Sequence, residues 1–200
     1  MQHSRPKVFF IGFNKTATIS FHKLFENSGY VSFHHTKVVN KKRLYLGKII
    51  QKNFKKNKKL LDTIDTQDVY SDFCYSTNKV YIEATEYFEL LSKQYPDSYF
   101  ILQTRNEDDW IKSRFNHKSK KNKNFYTRAM SALNMNNTEL EKFWRNHRRV
   151  LHKKIINYFF EANNFLIFDL DNDNIEKIIN FLKKDFQLDS QHWKKHNVTF

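Results

Sequence analysis

Three residue types are scarce in this sequence. Its 200 residues include 3 glycines, 2 prolines and a single cysteine. A chain with so few turn-forming residues does not fit an all-β sandwich, which needs many tight turns, or a disordered linker protein. The lone cysteine, Cys74, excludes an intrachain disulfide, and a chain without disulfides fits a reducing compartment.

Long apolar runs are also absent. No stretch approaches the roughly 20 apolar residues that a membrane-spanning helix needs. Residues 1–7 are short and polar and lack the apolar segment of a signal peptide. We therefore expect a cytoplasmic protein without a membrane span. The 9 histidines form no compact ligand set with cysteine or carboxylates, so no metal site is predicted.

Apolar residues and positive charge are plentiful. The hydrophobic fraction of 40% is sufficient for the core of a single domain over residues 1–200. The net charge of +14 favours anionic partners. Lysine-rich runs at 52–59 and 118–123 and abundant aromatic residues leave open a basic nucleic-acid-binding protein without catalysis. No motif of that class is visible, however, and no nucleic-acid partner is expected.

Short apolar runs alternate with segments of helical periodicity. Strands are predicted at 7–11, 30–33, 68–75, 99–104 and 165–168. Helices are predicted at 18–28, 84–94, 107–115, 138–161 and 174–184, the fourth capped by Thr138 with Glu141 in a capping box. Residues 37–61 are weakly helical. The alternation predicts an α/β fold, P-loop-like, with three layers α/β/α and a central parallel sheet of about five strands.

Ligands of such sheets bind beyond the carboxyl ends of the strands. The loops after Ile11, Phe33, Tyr75 and Thr104 are therefore expected to meet at one edge of the sheet.

The first of these loops, residues 12–20, has the composition of an anion site. It leads from a strand into a helix, and it contains small hydroxyl residues and one lysine, Lys15. Free N–H groups at the helix start, the helix dipole and the ammonium group all favour a phosphate. The nucleotide-kinase loop has the form G-x-x-x-x-G-K-S/T. Here the second glycine is missing and the lysine comes early, which argues against an ordinary kinase. An ordinary capped turn remains an alternative.

The second motif begins at Arg105, where the strand at 99–104 ends. Ser113 follows eight residues later, two turns into the next helix. A guanidinium group and a hydroxyl are a suitable pair for a second phosphate. The alternative is that Arg105 pairs with Glu107 or Asp108 and that Ser113 is an ordinary helix residue.

Together the two motifs resemble the sulfotransferases that use 3′-phosphoadenosine 5′-phosphosulfate (PAPS). The matching segments are N-K-T-A-T-I-S at 14–20 and R-N-E-D-D-W-I-K-S at 105–113, although Asn14 replaces the usual proline and Ala17 the usual glycine. The resemblance implies that Arg105 and Ser113 bind the 3′-phosphate of the nucleotide. It implies that the 5′-phosphosulfate is bound by Asn14, Lys15, Thr16, Ala17, Thr18, Ile19 and Ser20.

The resemblance extends to a compact subgroup of short sulfotransferases. Its further matches are His34 and His35, Asp72-Phe73-Cys74 without the subgroup's proline, Tyr95-Pro96-Asp97, His147, the strand FLIFDL and Asn197. The R-K-G-x-x-G nucleotide clamp of larger members is absent. Candidates to replace it in part are Arg128, Lys194 and Lys195.

The activity implied is transfer of a sulfuryl group from PAPS to a hydroxyl or amine, with adenosine 3′,5′-bisphosphate (PAP) as product and no metal required. The acceptor is expected to be a small molecule, a carbohydrate or a lipid. Lys15 is expected to stabilise the leaving phosphate, and Asp72, with His34 or His35 beside it, to be the base. His147 and Glu83 are further candidates. A P-loop kinase acting on a nucleotide or small molecule, with Asp72 or Asp169 holding Mg²⁺, is the alternative enzyme.

Overall fold

The computed structural model describes residues 5–117 and 124–194. Its helices and strands occur in this chain order: β1 (Val8–Phe10), α1 (Thr18–Asn27), β2 (Ser32–His34), β3 (Thr36–Val39), β4 (Lys42–Tyr45), α2 (Leu46–Lys55), β5 (Val69–Ser71), β6 (Cys74–Ser76), β7 (Tyr81–Glu83), a 3₁₀ turn (Ala84–Tyr87), α3 (Phe88–Gln94), β8 (Tyr99–Thr104), α4 (Glu107–Phe115), α5 (Phe125–Leu133), α6 (Asn137–Tyr158), β9 (Phe165–Asp169), α7 (Glu176–Leu182) and a second 3₁₀ turn (Ser190–His192).

Five of the strands form the central sheet, in the order β2-β5-β1-β8-β9. Every neighbouring pair is parallel, and Val8 of β1 lies opposite both Val69 of β5 and Tyr99 of β8. The inner strands are continuously apolar because helices cover both faces of the sheet. The predicted α/β class with a parallel sheet of five strands is therefore confirmed.

Alternate side chains of β1 enter two separate cores. Phe9 belongs to a large cluster with α2 to α6, while Val8 and Phe10 pack with α1 and α7 on the other face. This alternation follows from the two-residue period of a strand. The result is the predicted three-layer arrangement, in which β1 is the middle strand of the sheet.

The predicted third strand is shorter than expected. Residues 68–75 form β5 and β6, separated at Asp72, whose φ of 58° is left-handed. β6 leaves the sheet and pairs antiparallel with β7. Aspartate tolerates this backbone conformation better than most residues, so the chain can turn there. The loop that reaches the ligand edge thus begins at Asp72 and not after Tyr75.

The weakly helical prediction for 37–61 was wrong in its first half. Residues 36–45 form an antiparallel hairpin of β3 and β4, and only Leu46–Lys55 is helical. Asn40 and Lys41, between the two strands, have φ of 48° and 62°. Two successive positive φ values are typical of the turn that closes a two-residue hairpin, and asparagine favours it. The leucines at 44 and 46 therefore belong to different elements.

The N-cap of the long helix α6 lies two residues before the predicted cap, Thr138. The capping box consists of Asn136 and Glu139, and not of Thr138 and Glu141. Both pairs have suitable chemistry, and the sequence alone does not distinguish them.

The helix α5 was not predicted. Residues 118–123 of the predicted charged loop, together with Lys195 and Asn197, lie outside the described residues. Within residues 5–117 and 124–194, no helix is long and apolar enough to cross a membrane.

Gly12 follows β1 and lies directly against Gln103 of β8. Its N–H donates to Oε1 of Gln103 at 2.8 Å, and a Cβ at this position would overlap the carbonyl oxygen of Gln103. Gln103 is completely buried, so the overlap cannot be relieved by a movement towards solvent. Glycine is required here for space and not for its backbone conformation.

We predict that Gly12→Ala lowers the free energy of unfolding by about 3 kcal/mol, the cost of overpacking a rigid core. Urea denaturation monitored by circular dichroism measures this change. Gly29→Asn is the matched control, since φ at Gly29 is +85° and a Cβ there meets open space. Equal stability of the two variants would mean that the backbone near Gly12 can move away from Gln103 without cost.

Candidate active site

The loop between β1 and α1 has an unusual backbone. Lys15 and Ala17 have φ of 69° and 58°, and the Thr16 hydroxyl donates to the carbonyl of Phe13. Ala17, which stands where the resemblance predicts glycine, thus adopts the left-handed conformation that glycine favours. It is the N-cap of α1 and offers no side-chain acceptor, and the first turn of α1 contains no acidic residue. The first N–H groups of α1 therefore have no side-chain cap.

The remaining predicted loop residues lie in the first turn of α1. Thr18 and Ser20 are buried, whereas Ile19 is partly exposed. The structure thus brings together the whole predicted segment, from Asn14 to Ser20, at the carboxyl end of β1.

Asn14 fixes this loop to α4. Its carbonyl accepts a hydrogen bond from Trp110 Nε1 at 2.9 Å, and its Oδ1 accepts one from Arg114 Nε at 2.9 Å. Arg114 is fully buried, and its guanidinium carbon lies 4.6 Å and 4.5 Å from the ring centroids of Trp110 and Trp144. The arginine is held rigidly between two indoles, so the loop has a rigid support.

Arg114 also contacts two polar groups of β7. Its NH2 group donates to the Tyr81 hydroxyl at 3.0 Å and lies 3.6 Å from Glu83 Oε2. Burial raises the pKa of Glu83 to about 7, although Arg114 and His147 oppose the increase. Glu83, a candidate base from the sequence, is therefore a buried partner of Arg114 and does not line the cavity described below.

The Lys15 ammonium lies beside the ring of His117 at the carboxyl edge of the sheet. Its Nζ is 3.4 Å from Nδ1 of His117. Burial lowers the pKa of Lys15, Asp72 opposes that change, and Arg105 lowers the pKa further. Within the described part of the chain, no carboxylate oxygen lies within 4.0 Å of Nζ. The ammonium is thus half-buried without a carboxylate partner.

Arg105 follows β8 at the same edge of the sheet. Its Nε is buried and has no hydrogen-bond partner, while its carbonyl accepts from Arg148. The alternative pairing predicted from the sequence is wrong, because Glu107 binds Arg145 and Arg149, and Asp108 binds Arg145. Ser113 is buried on α4 and makes no hydrogen bond to Arg105.

Asp72, His34 and His35 form a cluster next to the loop. His34 Nε2 is 3.1 Å from Thr18 Oγ1 and 3.7 Å from Asp72 Oδ2. Burial lowers the pKa of His34 to about 4, so this imidazole is neutral near pH 7. His35 has φ of 47°, and its Nδ1–H donates to the Cys74 carbonyl at 3.0 Å. Nδ1 of His35 is therefore occupied by this hydrogen bond.

A cavity of about 770 Å³ opens beside this cluster. The described residues that line it are Asn14, His35, Thr36, Arg43, Tyr45, Asp72, Cys74, Tyr75, Ser76, Thr77, His117, Phe125 and Arg128. Asp72 and His35 thus face the cavity, and His34 lies behind them. Asp72 Oδ1 is buried and has no hydrogen-bond partner, since the nearest histidine nitrogen, His35 Nδ1, is 3.9 Å away.

His147 is not part of this cluster. Its Nε2 lies 2.8 Å from Glu86 Oε1, and its ring packs against Phe13 and Phe143. Arg128 does reach the cavity, where its Nε donates to the Ser76 carbonyl at 3.2 Å. In residues 5–117 and 124–194, no group of three or more His, Cys, Asp or Glu side chains could hold a metal ion.

Sequence reasoning missed two residues of the site. His117 is 102 positions from Lys15, and no local pattern connects them. Arg114 directly follows the predicted Ser113 and lies four positions after Trp110, a spacing that puts an arginine and an indole on one helix face. That signal was present in the sequence, but its link to Asn14 was not.

The match to a family model decides the relationship of this chain to known proteins. A model described as the sulfotransferase domain matches residues 7–190 of the 200. The chain belongs to the sulfotransferase-domain family. The matched range of the sulfotransferase domain includes every predicted site residue from Asn14 to Ser113, and also Arg114, His117 and Arg128. No curated protein matches the chain significantly.

We predict that Asn14→Ala lowers the free energy of unfolding by about 1–3 kcal/mol, because the buried Arg114 Nε–H loses its acceptor. Chemical denaturation measures the change. Asn116→Ala is the control, since Asn116 is exposed and its side chain makes no hydrogen bond within the described structure; it should stay within about 0.5 kcal/mol of the parent. Equal effects would show that Arg114 does not depend on Asn14.

Proposed function

We propose that this sulfotransferase domain transfers a sulfuryl group from PAPS to a hydroxyl or amine of an acceptor and releases PAP. The observation that supports this most strongly is the pair of cations without carboxylate partners, Lys15 and Arg105, at the edge where α1 begins without a side-chain cap. An anionic ligand would satisfy all three features together.

The residues present fit the two anionic ends of such a nucleotide. Lys15 and the free N–H groups at the start of α1 would hold the 5′ end. The orphaned Nε of Arg105 is the donor for the 3′-phosphate, and the buried hydroxyl of Ser113 is its proposed companion. Charge-assisted hydrogen bonds contribute about 1.5–3 kcal/mol each, so a few of them account for micromolar binding.

Bound PAPS would supply an activated sulfuryl group, and the chain would supply position and charge. Sulfuryl transfer resembles phosphoryl transfer, in which charge spreads over peripheral oxygens and grows on the leaving phosphate. Lys15 balances that charge from a largely dehydrated position, where an ammonium is more effective than in water. Asn14 keeps Lys15 in place through the rigid Arg114.

Asp72 is the proposed base. It lines the cavity and has an unpartnered Oδ1, and its left-handed backbone turns it away from the strand ladder. Asp72 would take the proton of the acceptor hydroxyl while the sulfuryl group passes to the acceptor oxygen and its bond to the leaving phosphate of PAP breaks. The neutral His34 stands between Asp72 and Thr18 and orients the carboxylate, while His35 lines the same cavity and is the second candidate.

We predict that PAP raises the melting temperature without Mg²⁺ and that ATP at the same concentration raises it much less, because a ligand that binds only the native state stabilises it. Arg105→Ala should remove most of the preference for PAP. Arg149→Ala is the control, since this arginine is exposed and pairs with Glu107. Equal stabilisation by PAP and ATP in the parent protein would instead favour a kinase.

We predict that Asp72→Asn lowers turnover by about 10²–10⁴, the usual contribution of a general base, and leaves the PAP-induced melting shift intact. The measurement is transfer of ³⁵S from labelled PAPS to a panel of hydroxyl acceptors. Lys15→Ala is the comparison: it should also remove most turnover but weaken PAP binding as well. A near-normal rate for Asp72→Asn would assign the base to His35.

A further inference from the structure

The cavity beside Asp72 has a clear excess of positive charge on its walls. Arg43 projects from β4 and Arg128 from α5, whereas Asp72 is the single carboxylate among the described lining residues. Arg43 is exposed and makes no ion pair with any described residue. Arg128 is held against β6 through the Ser76 carbonyl. The two guanidinium groups therefore come from different walls of one cavity.

His117, which lines the cavity, is within reach of the charges around it. Burial lowers the pKa of His117 to about 4, Lys15 and Arg128 contribute to the decrease, and Asp72 opposes it. Positive charges from the nucleotide loop and from the cavity wall thus act on the same imidazole. A cleft lined by charge of one sign attracts ligands of the opposite sign.

The position of Arg43 on its hairpin is informative. Because side chains alternate along a strand, Arg43 and Tyr45 lie on one face of β4, and Lys42 and Leu44 lie on the other. Arg43, Tyr45 and Thr36 line the cavity, whereas Lys42 does not. Arg43, which faces the cavity, thus has an exposed neighbour of the same charge, Lys42, on the opposite face of β4.

The remaining walls suit a molecule with a ring. The rings of Tyr45 and Tyr75 pack edge to face with centroids 4.9 Å apart, and hydroxyl groups of Ser76 and Thr77 lie nearby. Aromatic faces pack against flat or ring-shaped ligands. The volume of about 770 Å³ lies within the range of about 300–1,000 Å³ that is usual for small-molecule sites.

We propose that the acceptor carries an anionic group, such as a carboxylate, in addition to the hydroxyl that is sulfated, and that Arg43 and Arg128 bind this group. This inference rests on the proposed function, because it assigns the cavity beside Asp72 to the acceptor. An acceptor must approach a strongly anionic donor. A second negative charge would be repelled there unless the wall supplied cations, and the two arginines supply them.

The test uses two pairs of probes, and in each pair a neutral polar group of similar size replaces the carboxylate. The sugar pair is methyl β-glucuronide and methyl β-glucoside, and the phenol pair is 4-hydroxybenzoate and 4-hydroxybenzamide. Binding to the full chain saturated with PAP is measured by calorimetry. We expect the anionic member of at least one pair to bind about tenfold more tightly, and the preferred pair distinguishes a sugar from a phenol frame. This preference should decrease with added salt.

Substitutions on β4 test whether Arg43 contributes to the preference for the anionic probe. Arg43→Ala should remove most of the preference and leave the part that Arg128 supplies. Arg43→Lys should restore part of what is lost, and Lys42→Ala should leave the preference unchanged. A parent protein without any charge preference, including one that binds neither member of either pair, would overturn the proposal. So would an Arg43→Ala variant that retains the full preference.

The PAP-induced melting shift separates this proposal from the proposed function. A clear shift by PAP without a charge preference in the cavity refutes only the anionic acceptor. If PAP and ATP stabilise the protein equally, the sulfotransferase proposal fails, whatever the probes do.

Discussion

The hydrogen bond between Arg114 and Asn14 is the interaction on which the geometry of the site depends. A guanidinium group between two indoles, out of contact with water, is one of the most rigid supports that a protein offers. It joins three segments of the chain: the loop after β1, the helix α4 and the hairpin of β6 and β7. Without it, Lys15 would extend from a loop with two left-handed residues and no proline to restrain it.

The same pair explains how this sequence departs from its family without losing the loop. The resemblance predicts proline and glycine at positions 14 and 17. Trp110 donates to the backbone carbonyl of Asn14, which a proline would also offer, but the acceptor for Arg114 is the asparagine side chain. Asparagine thus replaces the stiffness of proline with a side-chain hydrogen bond. Alanine replaces glycine in a left-handed conformation, which costs about 1–2 kcal/mol.

The elements that the sequence predicted well are those in which local pattern and burial agree. The strand at 99–104 and the helix at 107–115 have the predicted bounds, because an apolar run and then the Asn106 cap mark them. The helical prediction for residues 36–45 was wrong because leucines that belong to two different elements happen to have the spacing of one apolar helix face. The loop residues, Arg105 and Asp72 were proposed as site residues from their motifs, and that assignment stays a prediction. Contacts such as Lys15 with His117 join distant segments, and no single-sequence pattern encodes them.

Asp72 shows how a prediction can be right about location and wrong about structure. The residue was expected to lie within a strand at 68–75, and it instead interrupts that segment with a positive φ. The interruption turns its carboxylate out of the sheet and starts the hairpin that bears Cys74, Tyr75 and Ser76. One left-handed residue thus positions a carboxylate and creates a wall of the cavity.

The two hairpins that line much of the cavity lie outside the parallel sheet: among the described strands, β3 pairs with β4 and β6 pairs with β7. The hairpin of β6 and β7 is nevertheless tied to the loop after β1, because the Tyr81 hydroxyl accepts a hydrogen bond from Arg114. Among the described residues, no hydrogen bond or ion pair joins Arg114 to the hairpin of β3 and β4. A lineage carrying this fold could therefore reshape the cavity by replacing exposed residues of β3 and β4 while the loop after β1 and its support stay the same.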